Sequence, residues 1–255
     1  MKYIASCSFG KDSIATIILA HLNNEPLDLI VYSEVMFNEN ISGENPLHID
    51  FIKNKAIPIF ESWGYEVKIL RAKKTYIDCF YNICGKRAKP ERVGKYRGFP
   101  IAFKCKINSD CKVAPIKTFY KNIKEPITQY VGIAIDEPER LERLKNTDKI
   151  SLLAKYGYTE KMAFELCKKY DLVSPIYEVS SRQGCWFCPN ARAIESIYIK
   201  ENYSQLWERL RELSKEQNLV TNKFNRTETF EELDKRLQTK IDNEKLQLKL
   251  FNKST

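Results

Sequence analysis

The sequence predicts an α/β protein: a doubly wound, mostly parallel sheet with a helical C-terminal part. Three observations carry that expectation. Short runs of strand formers alternate with apolar residues at helical spacing through the first half, and a glycine-bearing polar turn joins the first strand to the first helix. The second half shows helical periodicity with no convincing strand between its segments.

Taken in order, Lys2 to Ser8 is rich in strand formers, and Ile14, Ile17, Ile18, His21 and Leu22 recur at helical spacing after the turn. Leu27 to Tyr32 predicts a second, buried strand. Pro46 to Trp63 predicts a helix with Ile49, Ile52, Ala56 and Phe60 on one face and Pro58 as a candidate interruption. Tyr65 to Leu70 gives a third strand, Cys111 to Asn122 a helix, and Thr128 to Ile135 a fourth strand. Alternation of this kind implies parallel pairing. Thr159 to Lys169, Ala193 to Lys200 and Tyr203 to Gln217 predict helices, and Glu228 to Leu250 a charged tail helix. Its Phe230, Leu233, Leu237 and Ile241 suggest loose packing or contact with a partner. The expected division is a nucleotide-binding domain over 1–145, a helical lobe with a CxxC metal site over 146–220, and a charged tail over 221–255.

The chain has 255 residues, 42 Lys and Arg against 33 Asp and Glu, and is 43% hydrophobic, which suffices for a sizeable core and excludes disordered and collagenous classes. No apolar run approaches the ~18 residues of a membrane span. The opening residues lack a secretory pattern, so the expected location is cytoplasmic, and the eight cysteines are expected to be free, metal-bound or catalytic. The positive excess concentrates in residues 86–106, where Lys86, Arg87, Lys89, Arg92, Lys95, Arg97, Lys104 and Lys106 face only Glu91, with Tyr96, Phe99 and Phe103 interleaved. Such a loop suits a polyanion; an ordinary solvated surface is the plain alternative.

The turn reads Ser8-Phe9-Gly10-Lys11-Asp12-Ser13. A turn that opens a helix aims free backbone N–H groups and the positive end of the helix dipole at one point. Gly10 allows close approach of a phosphate, Ser8 and Ser13 add hydroxyls, Lys11 neutralises charge, and Asp12 can hold a metal-bound water or cap the helix. The Walker pattern is absent.

The hexapeptide resembles the PP-loop, S-G-G-x-D-S, of the adenine nucleotide alpha-hydrolase-like superfamily, with Phe9 in place of the first glycine. Gly132-Ile133-Ala134-Ile135-Asp136-Glu137-Pro138-Glu139-Arg140 is similar to a strand-end segment of the phosphoadenosine phosphosulfate reductase family, with Ala134 where that family has arginine. The resemblance extends over about residues 2–215 and is nearest in overall character to reductase-like proteins of phages and mobile elements, which carry a Gly-Cys-x-x-Cys-Pro signature. It implies ATP, or an adenylyl sulfate-like nucleotide, bound with Mg²⁺ by Ser8 to Ser13, Gly132, Asp136 and Glu137, with Lys11, Asp12 and Arg140 as catalytic candidates.

Cys185 and Cys188 form a CxxC followed by Pro189, and Cys105 and Cys111 stand far upstream. Four thiolates satisfy either a 4Fe–4S cluster or a tetrahedral Zn²⁺, while a redox pair and unconnected buried pairs are further readings. Cys111 to Ile116 is similar to a segment of cluster-bearing assimilatory sulfate reductases, which favours iron–sulfur. Cys7, Cys79, Cys84 and Cys167 are expected to be packing residues.

Three functions remain open at this level. The first is an ATP pyrophosphatase that releases AMP and pyrophosphate while activating an acceptor, with sulfur transfer as a further step. The second is an adenylyl sulfate reductase, although no cysteine follows Cys188 to act as its nucleophile. The third is a zinc-stabilised nucleic-acid-binding module. Candidate partners are an adenine nucleotide, a nucleic acid or sulfur-carrier acceptor on the basic loop, and a second copy of the chain. His48, Glu34 and Glu39 are minor candidates for nucleotide or metal contact.

Overall fold

Five parallel strands form one sheet in the order β3-β2-β1-β4-β5: β1 Lys2–Ser6, β2 Leu29–Glu34, β3 Val67–Arg71, β4 Ile127–Tyr130 and β5 Lys149–Ile150. Ile4 of β1 pairs with Leu29 on one side and Gln129 on the other, so β1 is central. The computed structural model describes residues 1–101 and 105–251, with the side chains of 248–251 left aside; Phe103 and Lys104 of the basic segment therefore lie outside the described residues. Strand β5 has no counterpart in the sequence reading, because two exposed residues make no apolar run.

The helices are α1 Lys11–Leu22, α2 Pro46–Phe51, α3 Ile57–Ser62, α4 Tyr76–Phe80, α5 Ala114–Lys121, α6 Pro138–Glu142, α7 Leu152–Lys155, α8 Glu160–Lys169, α9 Ile176–Val179, α10 Ala193–Asn202, α11 Ser204–Ser214 and α12 Phe230–Phe251. Pro58 does not break the segment predicted around it. A π turn over Ile52–Ala56 joins α2 to α3, with the Ile57 N–H donating to the Ile52 carbonyl five residues back, and this widened turn accommodates the missing N–H of Pro58. A second π segment, Asn108–Val113, leads into α5.

Buried apolar side chains form two clusters. The first packs Ile14, Ile17 and Ile18 of α1 between the sheet and Leu152, Leu153, Leu166 and Leu172. The second gathers Tyr76, Phe80, Phe187, Trp207, Leu210, Phe230 and Leu237. The tail helix packs more firmly than its charge suggested: Phe230, Leu233, Leu237 and Ile241 are all buried, and Asp234 binds Trp207 Nε1 at 2.7 Å and Lys200 at 2.8 Å. Only after Ile241 is the described helix surface exposed throughout. The loose packing expected for this segment is therefore corrected for its first three turns.

The strand order makes the chain run outward through β2 and β3 and return to β4 on the opposite side of β1. Helices then diverge above the carboxyl ends of β1 and β4, the crevice where open α/β sheets bind ligands.

Candidate functional site

The turn after β1 is held from beneath by buried groups. Phe9 sits at φ 58°, a left-handed conformation that costs a non-glycine residue roughly 1–2 kcal/mol. Its ring offsets the strain: it is fully buried, edge-on to Tyr32 at 5.2 Å and stacked on Phe60 at 5.9 Å. The departure from the two-glycine pattern thus keeps the glycine-like backbone and adds an anchor. Phe9 N–H donates to Cys7 Sγ at 3.3 Å, and burial pushes the Cys7 thiol up to about 11, so it acts as a neutral prop.

His48 is buried with Nε2 3.2 Å from the Ser8 carbonyl and Nδ1 2.9 Å from Ser174 Oγ. A carbonyl only accepts, so Nε2 carries the proton and Nδ1 accepts from the hydroxyl. Here His48 supports the turn instead of touching a nucleotide. Burial lowers its pKa, with the nearby Glu44 charge opposing. The unfolded chain therefore takes up a proton near pH ~6.5 that the folded protein refuses, and stability is present above that pH and lost below it. Thermal unfolding followed across this window is expected to show the decline, and His48→Gln is expected to flatten it.

Opposite the turn, Gly132 follows β4. A Cβ at this position would stand 2.7 Å from Asp12 C and Ser13 N, so the two loops meet backbone to backbone at the switch point. Gly132→Ala is expected to push the turn off its seat, costing about 1–3 kcal/mol in urea unfolding.

Helix α1 begins after Gly10, which is in extended backbone and supplies no side-chain cap. Lys11 N–H donates to Tyr177 Oη at 3.0 Å, and Ser13 Oγ donates to the Gly10 carbonyl at 3.0 Å. Ser8, Gly10, Lys11, Asp12, Ser13, Gly132 and Arg140 border one cavity of about 320 Å³. Seven predicted residues are thus brought together. Phe9 lies below the cavity, while Asp136 and Glu137 act one step behind it. Asp136 accepts from the Glu160 N–H at 3.1 Å, and Glu137 accepts from Ala134 N–H at 3.1 Å and pairs with Arg140.

Sequence reasoning missed Glu160, Tyr177, Arg182 and Gln183, which complete the cavity wall. Glu160 binds Lys11 Nζ at 2.6 Å, beside Asp12 Oδ1 at 2.9 Å. Burial works against the Lys11 ammonium, but these two carboxylates raise its pKa above the ordinary value. Burial raises the Asp12 pKa, the Lys11 hydrogen bond opposes it, and the negative Glu160 and Glu137 add to it. Gln183 lies against Gly10 and donates to Tyr177 Oη at 2.9 Å. The one available signal, proximity to the CxxC, was too weak to place Gln183 over the turn. Glu34, by contrast, is consumed by Arg71 at 2.6 Å, and Glu39 is exposed.

Two residues beyond Gln183 the CxxC begins. Cys185 pairs with Glu44 in a single β-bridge, and Trp186 Nε1 donates to the Ser42 carbonyl at 2.9 Å. Burial raises the Cys185 and Cys188 thiols; Glu44 adds to the effect on Cys185, and the Lys112 ammonium opposes it. Cys111 Sγ lies 3.8 Å from Cys79 Sγ, and Cys79 belongs to the second buried cluster. Among the described residues no three His, Cys, Asp or Glu side chains gather closely enough to hold one metal ion. The Tyr76 hydroxyl is buried with no hydrogen-bond partner among the described residues, and burial together with Cys185, Cys188, Cys105 and Cys79 raises its pKa.

The fold and this site define a class: an open parallel α/β protein with a glycine-bearing turn after its first strand facing a second glycine across the switch point. No protein-family model matches the chain, and no curated protein matches it in sequence. Among solved structures it is similar to the U34-tRNA thiolase NcsA from Methanococcus maripaludis with its 4Fe–4S cluster, at 17% identity and a TM-score of 0.40, over 85% of this chain and 73% of that one. No helix among the described residues is long and apolar enough to cross a membrane.

Proposed function

We propose that the chain is a PP-loop ATP pyrophosphatase of the adenine nucleotide alpha-hydrolase-like superfamily, with the phosphoadenosine phosphosulfate reductase family as its nearest branch. The observation that carries this reading is the contact of Gly132 with the Asp12–Ser13 backbone, which puts the turn, α1 and the loop after β4 around one small polar cavity. In the reaction an acceptor oxygen or nitrogen attacks the α phosphate of ATP in line, the bond to the β phosphate breaks, and pyrophosphate leaves.

Ser8, Ser13 and the first N–H groups of α1 hold the departing pyrophosphate. Lys11 moves from Glu160 onto the phosphates, and Arg140 offsets charge at the reacting phosphate. Asp12 would hold Mg²⁺, an ion ordinarily bound by one or two carboxylates plus substrate oxygens, and the ion would supply charge neutralisation at the phosphates. Glu137 and Asp136 act as positioning residues for Arg140 and for Glu160.

The thiols suit a cluster better than a single Zn²⁺. A cluster spreads its thiolates farther apart than one tetrahedral ion does, in keeping with the lack among the described residues of three donors close enough for one ion, and the buried Tyr76 hydroxyl has no partner there. Cys105, Cys111, Cys185 and Cys188 would hold a 4Fe–4S cluster, which supplies a site for binding and activating sulfur. Gln183 lies against Gly10 and is two residues from Cys185, and this short connection supports a cluster near the turn.

Incubation with ATP, Mg²⁺ and total cellular RNA is expected to release AMP and pyrophosphate; ADP and phosphate, or sulfite from adenylyl sulfate, would overturn the assignment. Protein purified without oxygen is expected to carry about four iron and four sulfide per chain, lost in Cys185→Ala. One zinc and no sulfide would make the thiols structural.

A further inference from the structure

The cavity over the turn is closed on one side by two residues that take no part in the proposed reaction. Tyr177, from α9, and Gln183, from the loop that follows, both border it. The Tyr177 hydroxyl accepts from the Lys11 N–H at 3.0 Å, and the Gln183 amide donates to the same hydroxyl at 2.9 Å. Gln183 also rests directly on Gly10. A Cβ there would stand 2.4 Å from Gln183 Nε2 and 2.7 Å from its Oε1, closer than packed atoms approach. The face of the turn that glycine leaves open is therefore filled by a carboxamide.

These are the groups a phosphate needs. The first N–H of α1 can donate to a phosphate oxygen or to Tyr177, and the space over Gly10 can hold a ligand oxygen or the Gln183 amide, but not both. The Lys11 ammonium is engaged in the same way, by Glu160 at 2.6 Å and Asp12 at 2.9 Å. The holds on Lys11 are joined, since the Tyr177 ring meets Phe164 of α8 edge-on at 5.8 Å. Over the turn the segment is lightly held. The Gln183 side chain makes one hydrogen bond among the described residues, and Ser181, Arg182 and Gly184 beside it are exposed. Its two ends are fixed more firmly: Ser174 Oγ lies 2.9 Å from the buried His48 Nδ1, Ser180 Oγ donates to Glu195 at 2.7 Å, and the Trp186 N–H donates to the Gly43 carbonyl at 3.1 Å.

We infer that Tyr177 and Gln183 form a displaceable plug, which stands on the turn where ligand oxygens belong and yields to the phosphates of the nucleotide. The inference rests on the reading of the turn as a phosphate site. Binding then includes opening of the plug, so the apparent affinity is lower than that of the open site. The amide that withdraws is two residues from Cys185, on the chain that leads into the CxxC.

The test is isothermal titration calorimetry with inorganic pyrophosphate and Mg²⁺, and separately with ATP and Mg²⁺, on the full chain, Tyr177→Phe, Gln183→Ala and the double variant. Tyr177→Phe keeps the ring against Phe164 and removes only its oxygen, and Gln183→Ala clears the amide from Gly10. Each single variant is expected to bind pyrophosphate about two- to tenfold more tightly, the worth of one neutral hydrogen bond no longer broken on binding. The double variant is expected to bind at least as tightly as the better of the two. A fixed wall or a direct ligand contact has the opposite sign, and a purely structural cap lowers the thermal unfolding midpoint without raising affinity. Unchanged or weaker binding by the double variant would overturn the inference and leave the assignment of the turn intact. Absence of binding to either ligand by the unaltered chain and by every variant would instead defeat the assignment of the turn, and the plug with it.

Discussion

Asp12→Asn is expected to lower AMP release from ATP by a hundredfold or more while leaving the thermal unfolding midpoint nearly unchanged. The substitution keeps the size and shape of a half-buried side chain, so packing around it is preserved. In the proposed reaction it removes the charge that would hold Mg²⁺, and it takes away one of the two carboxylates that steady Lys11 at 2.9 and 2.6 Å. Removing one preorganised charged contact to a developing transition state costs about 10²–10³ in rate. Burial already works against the Asp12 charge; Lys11, and Mg²⁺ when bound, sustain it. Full turnover by the variant would show that the chemistry lies elsewhere.

The second large effect concerns stability. Phe9→Ala is expected to cost about 3–5 kcal/mol in denaturant unfolding, the usual range for deleting a buried aromatic ring. Phe9→Gly removes the same ring contacts with Tyr32 and Phe60, yet it releases the backbone strain of a side chain at φ 58°. Glycine is expected to be more stable than alanine here by about 1 kcal/mol. At an ordinary helix or strand position the order is the reverse, by about 0.5–1 kcal/mol. An alanine variant more stable than the glycine variant would mean that the turn does not hold this conformation.

The strands and the first helix were legible in the sequence because their signals are local. Alternating and helical spacing of apolar residues reports burial on one or both faces, as in β2, five of whose six residues are buried. The turn at Ser8 to Ser13 was legible for a similar reason: a short run of contiguous residues can by itself shape an anion-binding backbone. The wall supplied by Glu160, Tyr177 and Gln183 was not. These residues come from α8, α9 and the following loop, more than 140 positions from the turn, and nothing in their neighbourhood distinguishes them from surface residues. The firm seat of α12 was hidden as well, because its charged faces dominate the composition while four apolar residues on one face do the packing.

By itself the sequence determined a parallel α/β sheet with a glycine-bearing turn between its first strand and first helix, since strand propensity, spacing and turn chemistry act over a few neighbouring residues. Only the tertiary structure decided that Gly132 must be glycine where two loops touch, that Glu160 shares Lys11 with Asp12, and that Cys79 lies against Cys111. Each of these depends on the packing of elements distant along the chain, and chain separation carries no local signal of it.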